Sequence, residues 1–215
     1  MNSTNVTRVM LVDDHAVVRA GYRTLLEDTP GLHIAAEVGS GEAACRAFDL
    51  YHPRVTVMDL SLPGISGLEA TRRIVRRDPT ARVLIFSMHE DSVFVDRALQ
   101  NGACGYITKS SAPETLVSAV KKVAAGEVYL DRQLAQHLAL QKSRNTGEPW
   151  SGLSTREFEI FYLLAQGLTS ARIGERLSLS TKTVANYSTQ IKTKLNVDGQ
   201  GELIRLAIRH GLVSA

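Results

Sequence analysis

The amino-acid sequence predicts an α/β domain built on a parallel sheet, followed by a small domain made only of helices. Two observations predict this division. Short apolar runs alternate with segments of helical periodicity through residues 1–130, whereas only helical patterns occur from Leu153 onward. Alternating strands and helices are typical of a parallel sheet that is covered on both faces through right-handed crossovers. We therefore expect a doubly wound, five-stranded parallel sheet of order 2-1-3-4-5, followed by an all-α tetrahelical domain.

Each strand of the first domain is predicted from a short run of β-branched and other apolar residues. The predicted strands are Val9–Val12, His33–Val38, Val55–Met58, Val83–Phe86 and Gly105–Thr108. The predicted helices are His15–Glu27, Gly41–Leu50, Leu68–Arg77, Ser92–Asn101 and Pro113–Ala125. Ser111 and Glu114 have the spacing of a capping box at the start of the last helix, and Gly126 marks its end.

A change in composition separates the two domains. A short helix is predicted over Arg132–Leu140, and the polar segment that follows contains Gly147 and Pro149, which is typical of a linker. We therefore divide the chain into a first domain at 1–130, a linker with a short helix at 131–150 and a second domain at 151–215.

The second domain is predicted to contain four short helices in a compact bundle. The residues expected to cap the first, third and fourth of them are Ser154 (in a capping box with Glu157), Ser180 and Asp198. The second and third helices, Thr169–Leu177 and Thr181–Leu195, are joined by a tight turn. This spacing is typical of a helix-turn-helix.

Composition excludes several classes of protein. Of 215 residues, 44% are hydrophobic and 22% charged, and the polar first residues do not resemble a signal peptide. No apolar run approaches the ~20 residues that a membrane span requires. Cys45 and Cys104 lack metal-ligand spacing and are expected to be reduced thiols. We therefore expect a cytoplasmic protein with no membrane partner.

Acidic side chains follow two strands that are neighbours in the predicted sheet. Asp13 and Asp14 come directly after the first strand, and Asp59 comes after the third. In this strand order, the carboxyl ends of those strands border the crevice in which doubly wound sheets bind ligands. Two carboxylates ~4 Å apart repel by about 4 kcal/mol at an effective dielectric constant of about 20, so they need a counter-ion. Carboxylate and water oxygens suit Mg²⁺, and the sequence therefore predicts a magnesium site.

Two further polar residues are expected to face the same crevice. Ser87 ends the fourth strand, and Lys109 follows the fifth. A hydroxyl, an ammonium and Mg²⁺ around one carboxylate can hold a phosphoryl group, because the cations neutralise charge on the transferring oxygens. We therefore predict that Asp59 is a nucleophile that forms an acyl phosphate.

The first domain resembles the receiver domain of two-component response regulators in four segments, namely "VMLVDDH", "MDLSLPGISG", "IFSMHED" and "GACGYITKS". The resemblance covers nearly all of residues 1–130 and implies a sensor histidine kinase as the partner that phosphorylates Asp59. It also implies Mg²⁺ bound by Asp13, Asp14, Asp59 and the main-chain carbonyl of Ser61, phosphoryl contacts from Ser87 and Lys109, a switch at Tyr106, and tuning of the acyl-phosphate lifetime by Ser61 and His89. From the residues alone, a buried core side chain is the simpler interpretation of Tyr106.

The second domain resembles the tetrahelical helix-turn-helix of the NarL/LuxR class of regulators in the segment "LSTREFEIFYLLAQGLTSARIGERLSLSTKTVANYSTQIKTKLNV". One face of its third helix carries Val184, Ile191 and Leu195 at packing spacing. The other face carries side chains that suit base edges and phosphates, namely Lys182, Thr183, Asn186, Tyr187, Thr189, Gln190, Lys192 and Lys194. The resemblance implies binding to double-stranded promoter DNA at inverted half-sites as a homodimer.

The charge distribution is compatible with this interpretation but does not require it. Residues 1–130 contain 14 Lys and Arg against 15 Asp and Glu, whereas residues 151–215 contain 8 against 5. A mildly basic domain suits nucleic acid, and a solvated surface explains the same excess.

Two alternative functions stay open from the sequence. A phosphohydrolase with an aspartyl nucleophile would use a related fold, but such enzymes place a second aspartate where this chain has Ser61. The other alternative keeps the first domain and makes the second a protein-docking module. We expect a regulator that accepts a phosphoryl group on Asp59 and can hydrolyse it, rather than a dedicated enzyme.

Overall fold

The chain folds into two compact units, Met1–Gln141 and Lys142–Ala215. The computed structural model describes residues 6–131, 134, 149–177 and 179–213. Apart from Leu134, the short helix predicted over Arg132–Leu140 lies outside the described residues, as does most of the linker predicted at 131–150.

The first unit is built on a parallel sheet of six strands in the order β2-β1-β3-β4-β5-β6. The strands are β1 Thr7–Val12, β2 Leu32–Val38, β3 Val55–Met58, β4 Val83–Ser87, β5 Gly105–Thr108 and β6 Tyr129–Leu130. The order predicted for the first five is confirmed. The short strand β6 was not predicted. It pairs with β5 so that Leu130 lies opposite Tyr106.

In the part of the first unit that the structure describes up to residue 131, five helices cover the two faces of this sheet. They are α1 Ala16–Glu27, α2 Gly41–Tyr51, α3 Gly67–Arg77, α4 Ser92–Gln100 and α5 Pro113–Ala125. Helix α1 packs beside α5, while α3 packs between α2 and α4. Strands β3, β4 and β5 are buried along their whole length, as expected for parallel strands that are covered on both faces.

Serine side chains cap two of these helices, Ser40 at α2 and Ser66 at α3, but the cap predicted for α5 is wrong. Ser40 accepts a hydrogen bond from the Ala43 N–H at the start of α2. Helix α5 begins after Ala112, with no side-chain cap. Pro113 takes the first helical position, and the hydroxyl of Ser111 lies 3.1 Å from that of Thr108 at the end of β5. Ser111 therefore stabilises the loop after β5 rather than the helix.

The second unit contains the predicted helices. They are α6 Thr155–Ala165, α7 Ser170–Leu177, α8 Thr181–Leu195 and α9 Gln200–Arg209. The capping box of Ser154 and Glu157 is confirmed, and so is the cap of α8 by Ser180.

The cap predicted for the last helix is wrong. Gly199 occupies the capping position in extended conformation, with no side-chain hydrogen bond. The backbone N–H of Asp198 donates instead to the Glu202 carboxylate at 2.8 Å. A glutamate in the first turn of α9 therefore satisfies the N–H group that precedes the helix.

Candidate functional site

Two acidic side chains meet at the carboxyl ends of β1 and β3. These strands are neighbours in the sheet, and Val12 lies opposite Met58, so that the residues following them come together. The Asp59 N–H donates to the Val12 carbonyl at 2.9 Å. Asp13 and Asp59 are buried, with 6% and 4% of their surface exposed. The pocket at this switch point, hereafter the acidic pocket, thus contains two carboxylates shielded from water.

A single ammonium joins these carboxylates. Lys109, which follows β5, donates to Asp13 Oδ2 at 2.6 Å and to Asp59 Oδ2 at 2.7 Å. Burial raises the pKa of Asp59, and Lys109 partly opposes that rise. Burial acts to lower the pKa of Lys109, but Asp59 and Asp13 outweigh it and the pKa is raised. Lys109 therefore stays protonated and provides a fixed positive charge beside Asp59.

The acidic pocket offers the donor set that a divalent cation needs. One ligand atom from each of Asp13, Asp14, His15 and Asp59 lies within 4.8 Å of the others. Three carboxylates fit a hard cation such as Mg²⁺. The Ser61 N–H donates to Asp59 Oδ1 at 3.3 Å, which places the Ser61 backbone beside the phosphoacceptor candidate.

Ser87 at the end of β4 and Tyr106 on β5 both contact His89, which lies in the loop after β4. The buried Ser87 hydroxyl accepts a hydrogen bond from the His89 N–H at 3.2 Å. The Tyr106 ring is fully buried, and its hydroxyl donates to the His89 carbonyl at 2.7 Å. His89 Nε2 lies 3.3 Å from the Ser61 hydroxyl, and its ring stacks on Phe94. Tyr106 is thus a core side chain whose polar end contacts this loop.

The sequence did not indicate Arg19 as part of the site. Arg19 Nη1 donates to the main-chain carbonyl of Asp13 at 2.5 Å. Glu37, on the neighbouring strand β2, pairs with both Arg19 and Arg23. Arg19 lies five residues after Asp14 and belongs to no sequence motif of the site. Its side chain reaches the end of β1 only because the first turn of α1 brings it back over that strand.

Gly67, the first residue of α3, leaves the space that the Asp59 backbone occupies, because a Cβ at this position would overlap the Asp59 carbonyl. We expect Gly67→Ala to lower the free energy of unfolding by about 1–3 kcal/mol and to displace Asp59. The matched control is Gly21→Ala, since Gly21 lies in α1 and, apart from its chain neighbours and the backbone of its own helix, no atom lies within 4 Å of the added methyl. That change should stabilise the protein by about 0.5–1 kcal/mol. Urea unfolding measures both, and equal stability of Gly67→Ala and wild type would contradict this account.

Helix α8 presents the polar face that the sequence predicts. Val184 and Ile191 are buried and Leu195 is half-buried. Of the proposed DNA contacts, Lys182, Asn186, Thr189, Gln190 and Lys194 are exposed, and Thr183, Tyr187 and Lys192 are half-buried. Lys194 donates to the capping-box residue Glu157 at 2.7 Å. Its ammonium is thus bound within the domain and joins α8 to the start of α6.

Among the described helices, none combines the length and the apolar character that crossing a membrane requires.

Known proteins match both units. The family "Response regulator receiver domain" matches residues 9–121, and "Bacterial regulatory proteins, luxR family" matches residues 151–207. Response regulator UvrY of Escherichia coli (strain K12) is 40% identical over 209 residues, which cover 96% of each chain. Response regulator GacA of Pseudomonas aeruginosa is 38% identical over 210 residues, covering 97% of this chain and 98% of GacA.

A solved structure shares the fold over most of the chain. RcsB from Salmonella enterica serovar Typhimurium, bound to promoter P1flhDC in the presence of the phosphomimetic BeF3-, superposes with a TM-score of 0.64 at 24% identity. The match covers 94% of this chain and 98% of that one.

An α/β domain with an acidic pocket at its switch point, joined to a helix-turn-helix domain, defines the class of two-component response regulators that bind DNA. The chain belongs to this family, with a receiver domain and a DNA-binding domain of the luxR type. It is a transcription regulator, and Mg²⁺-dependent phosphorylation is the general mechanism of receiver domains.

Proposed function

We propose that Asp59 accepts a phosphoryl group from a partner sensor histidine kinase, and that this modification controls DNA binding by the second domain. The observation that carries the proposal is the contact of Lys109 Nζ with both Asp59 and Asp13, at 2.7 and 2.6 Å. An ammonium in this position neutralises charge on a phosphoryl group held at Asp59. With this function we also propose a cytoplasmic location, where a kinase partner and Mg²⁺ are both available.

The magnesium site in this proposal consists of Asp13, Asp14, Asp59 and the main-chain carbonyl of Ser61. Clustering of the acidic ligand atoms supports it. When bound, Mg²⁺ neutralises the charge that develops on the transferring oxygens. An Asp59 carboxylate oxygen forms a bond to phosphorus while the bond from phosphorus to the donor breaks, and the donor keeps that electron pair.

The loop after β4 then transmits the change. Ser87 and Tyr106 both hold His89 through its backbone. A phosphoryl group on Asp59 carries a charge of about −1.5 to −2, and its oxygens accept a hydrogen bond from the Ser87 hydroxyl, which turns toward Asp59 and away from the His89 N–H. The loop is thereby released from Ser87, and Tyr106 follows its movement. The Ser61 N–H donates to Asp59, and the His89 ring contacts the Ser61 hydroxyl. We infer that these two residues affect attack by water on the acyl phosphate and so the rate of autodephosphorylation.

In the second domain, we propose that α8 enters the major groove of promoter DNA. Its exposed amides and hydroxyls suit base edges, and its lysines suit phosphates. RcsB, a protein of the same fold, has been seen as two dimers bound to two parallel DNAs. By analogy, we infer a homodimer on inverted half-sites. The linker at 131–150 joins this domain to the receiver domain at 1–130.

The alternative functions have less support. A phosphohydrolase would need a second acidic group where the chain has Ser61. A protein-docking module does not require the polar face of α8, and the luxR-family match favours DNA.

A binding experiment with the whole protein tests the proposed function. Promoter fragments selected from the host genome are titrated with protein that has been incubated with Mg²⁺ and a small acyl phosphate. We expect tighter binding, through dimers, than for untreated protein. Equal affinity of treated and untreated protein would contradict control by phosphorylation.

The two exposed lysines at opposite ends of α8 should behave differently. We expect Lys182→Ala to weaken DNA binding and to reduce the slope of log affinity against log salt by about 0.9, the value for one lost phosphate contact. Lys194→Ala should instead lower the free energy of unfolding by about 1 kcal/mol, because Glu157 loses its partner. Salt-dependent titration and urea unfolding separate the two effects. Lys121→Ala, an exposed lysine of α5, is the control and should change neither quantity.

A further inference from the structure

We propose that His15 is an additional ligand of the acidic pocket, and that it makes the pocket a site for borderline divalent transition metals such as Ni²⁺ and Zn²⁺ as well as for Mg²⁺. The inference rests on the proposed magnesium site and extends it to a residue outside the predicted ligand set. It concerns which metal ions the pocket accepts.

The imidazole of His15 lies about as far from two carboxylates as neighbouring ligands of one metal ion lie from each other. Nδ1 is 2.8 Å from Asp14 Oδ1 and 3.4 Å from Asp13 Oδ1. Neighbouring ligands of an octahedral ion with bonds of about 2.1 Å are about 3.0 Å apart. The nitrogen is therefore spaced from each of the two oxygens like neighbouring ligands of one ion, and one ligand atom of each residue lies within 4.8 Å of the others.

Lys109 leaves this face accessible. Its ammonium contacts the Oδ2 atoms of Asp13 and Asp59, whereas Asp13 Oδ1 is directed toward His15. The two oxygens of Asp13 thus have different partners, Oδ2 contacting Lys109 and Oδ1 contacting His15. A cation on the His15 side can be bound without displacing the Lys109 ammonium from Asp13.

A hydrogen bond fixes the backbone of His15, while its ring is available to coordinate a metal ion. The His15 N–H donates to Asp13 Oδ1 at 2.8 Å, which holds the start of α1 against the pocket. The side chain is 66% exposed, and it makes no capping hydrogen bond to α1. The orientation of the ring over Asp14 therefore has no role in the core or in the helix cap.

The chemistry of the added imidazole nitrogen determines which metal ions bind more tightly. Mg²⁺ prefers oxygen ligands and retains its waters, so an imidazole contributes little to binding it. Imidazole suits Zn²⁺ and Ni²⁺, and a nitrogen with two carboxylates binds them more tightly than carboxylates alone. His15 thus lets transition metals compete with Mg²⁺ at the phosphorylation site.

Metal titrations of the full-length protein test this inference. Ni²⁺ and Mg²⁺ affinities are measured for wild type, His15→Ala and His15→Gln, where glutamine keeps a hydrogen-bond donor for Asp14 but is a poor ligand for Ni²⁺. We expect wild type to bind Ni²⁺ in competition with Mg²⁺. Both variants should lose at least about tenfold in Ni²⁺ affinity and change less than about twofold in Mg²⁺ affinity. His33→Ala, an exposed histidine on β2, is the control and should match wild type.

Four results would overturn the inference. Unchanged Ni²⁺ affinity in His15→Ala would show that His15 is no ligand. Wild-type Ni²⁺ affinity in His15→Gln, or an equal loss of both ions in His15→Ala, would show that His15 only positions Asp14. Ni²⁺ binding that Mg²⁺ does not displace would place the metal elsewhere. Asp13→Asn tests the underlying magnesium site separately, because it should lose Mg²⁺ whatever the role of His15.

Discussion

Asp59→Asn is expected to take up no phosphoryl group from a kinase or an acyl phosphate. An amide in place of the carboxylate has no nucleophilic oxygen, while the contact of Lys109 with Asp13 is retained. Incorporation of labelled phosphate in the presence of Mg²⁺ measures the effect. Asp28→Asn, which removes an exposed carboxylate at the end of α1, is the control and should incorporate label at the wild-type rate. Label in Asp59→Asn would show that another residue is the acceptor.

The same variant should be more stable than wild type without metal. Burial raises the pKa of Asp59, so the folded protein binds this proton more readily than the unfolded chain does. The contribution of Asp59 to stability is therefore complete below its unfolded pKa and is lost as the pH rises through the folded value. Asparagine removes this penalty. We expect the stability difference to be largest at neutral pH and to disappear in acid, as measured by urea unfolding across pH.

Lys109→Met should have the second largest effect. The variant removes the cation shared by Asp13 and Asp59, whose side chains are 9% and 4% exposed. We expect phosphoryl uptake to fall about 10²- to 10³-fold, as when one electrostatic stabiliser of a transition state is deleted. Without metal, the free energy of unfolding should fall by about 3–5 kcal/mol, because two buried carboxylates lose their counter-ion.

Magnesium distinguishes this mechanism from a simple packing defect. Mg²⁺ supplies the missing positive charge, so it should stabilise Lys109→Met more than it stabilises wild type. Lys121→Met, on the exposed face of α5, is the control for removing a lysine. An equal gain from Mg²⁺ in Lys109→Met and wild type would contradict a shared counter-ion.

The sequence was sufficient to predict the sheet order and the meeting of Asp13 with Asp59, because local patterns indicate the alternating strands and helices, and the doubly wound fold that they predict has a known strand order. Buried parallel strands are apolar throughout, and their order places the ends of β1 and β3 side by side. Such features depend on periodicity and topology rather than on the detailed path of a loop.

Other features could not be predicted, because tertiary contacts determine them. Strand β6 has only two residues, Tyr129 and Leu130, and forms because β5 offers it an open edge. Ser111 has the spacing of a cap, but its hydroxyl finds a partner in Thr108. The pairing of Lys194 with Glu157 joins residues 37 apart in the chain, and no local pattern indicates it.

Chemical trapping of the acyl phosphate tests the central proposal most directly. The protein is incubated with a phosphodonor and Mg²⁺ and then reduced with borohydride, which converts an aspartyl phosphate to homoserine. Peptide mass spectrometry locates that residue. We predict homoserine at position 59 alone, and none when Mg²⁺ is chelated or Asp13 is replaced by asparagine. Homoserine at another position, or equal conversion without Mg²⁺, would contradict the account.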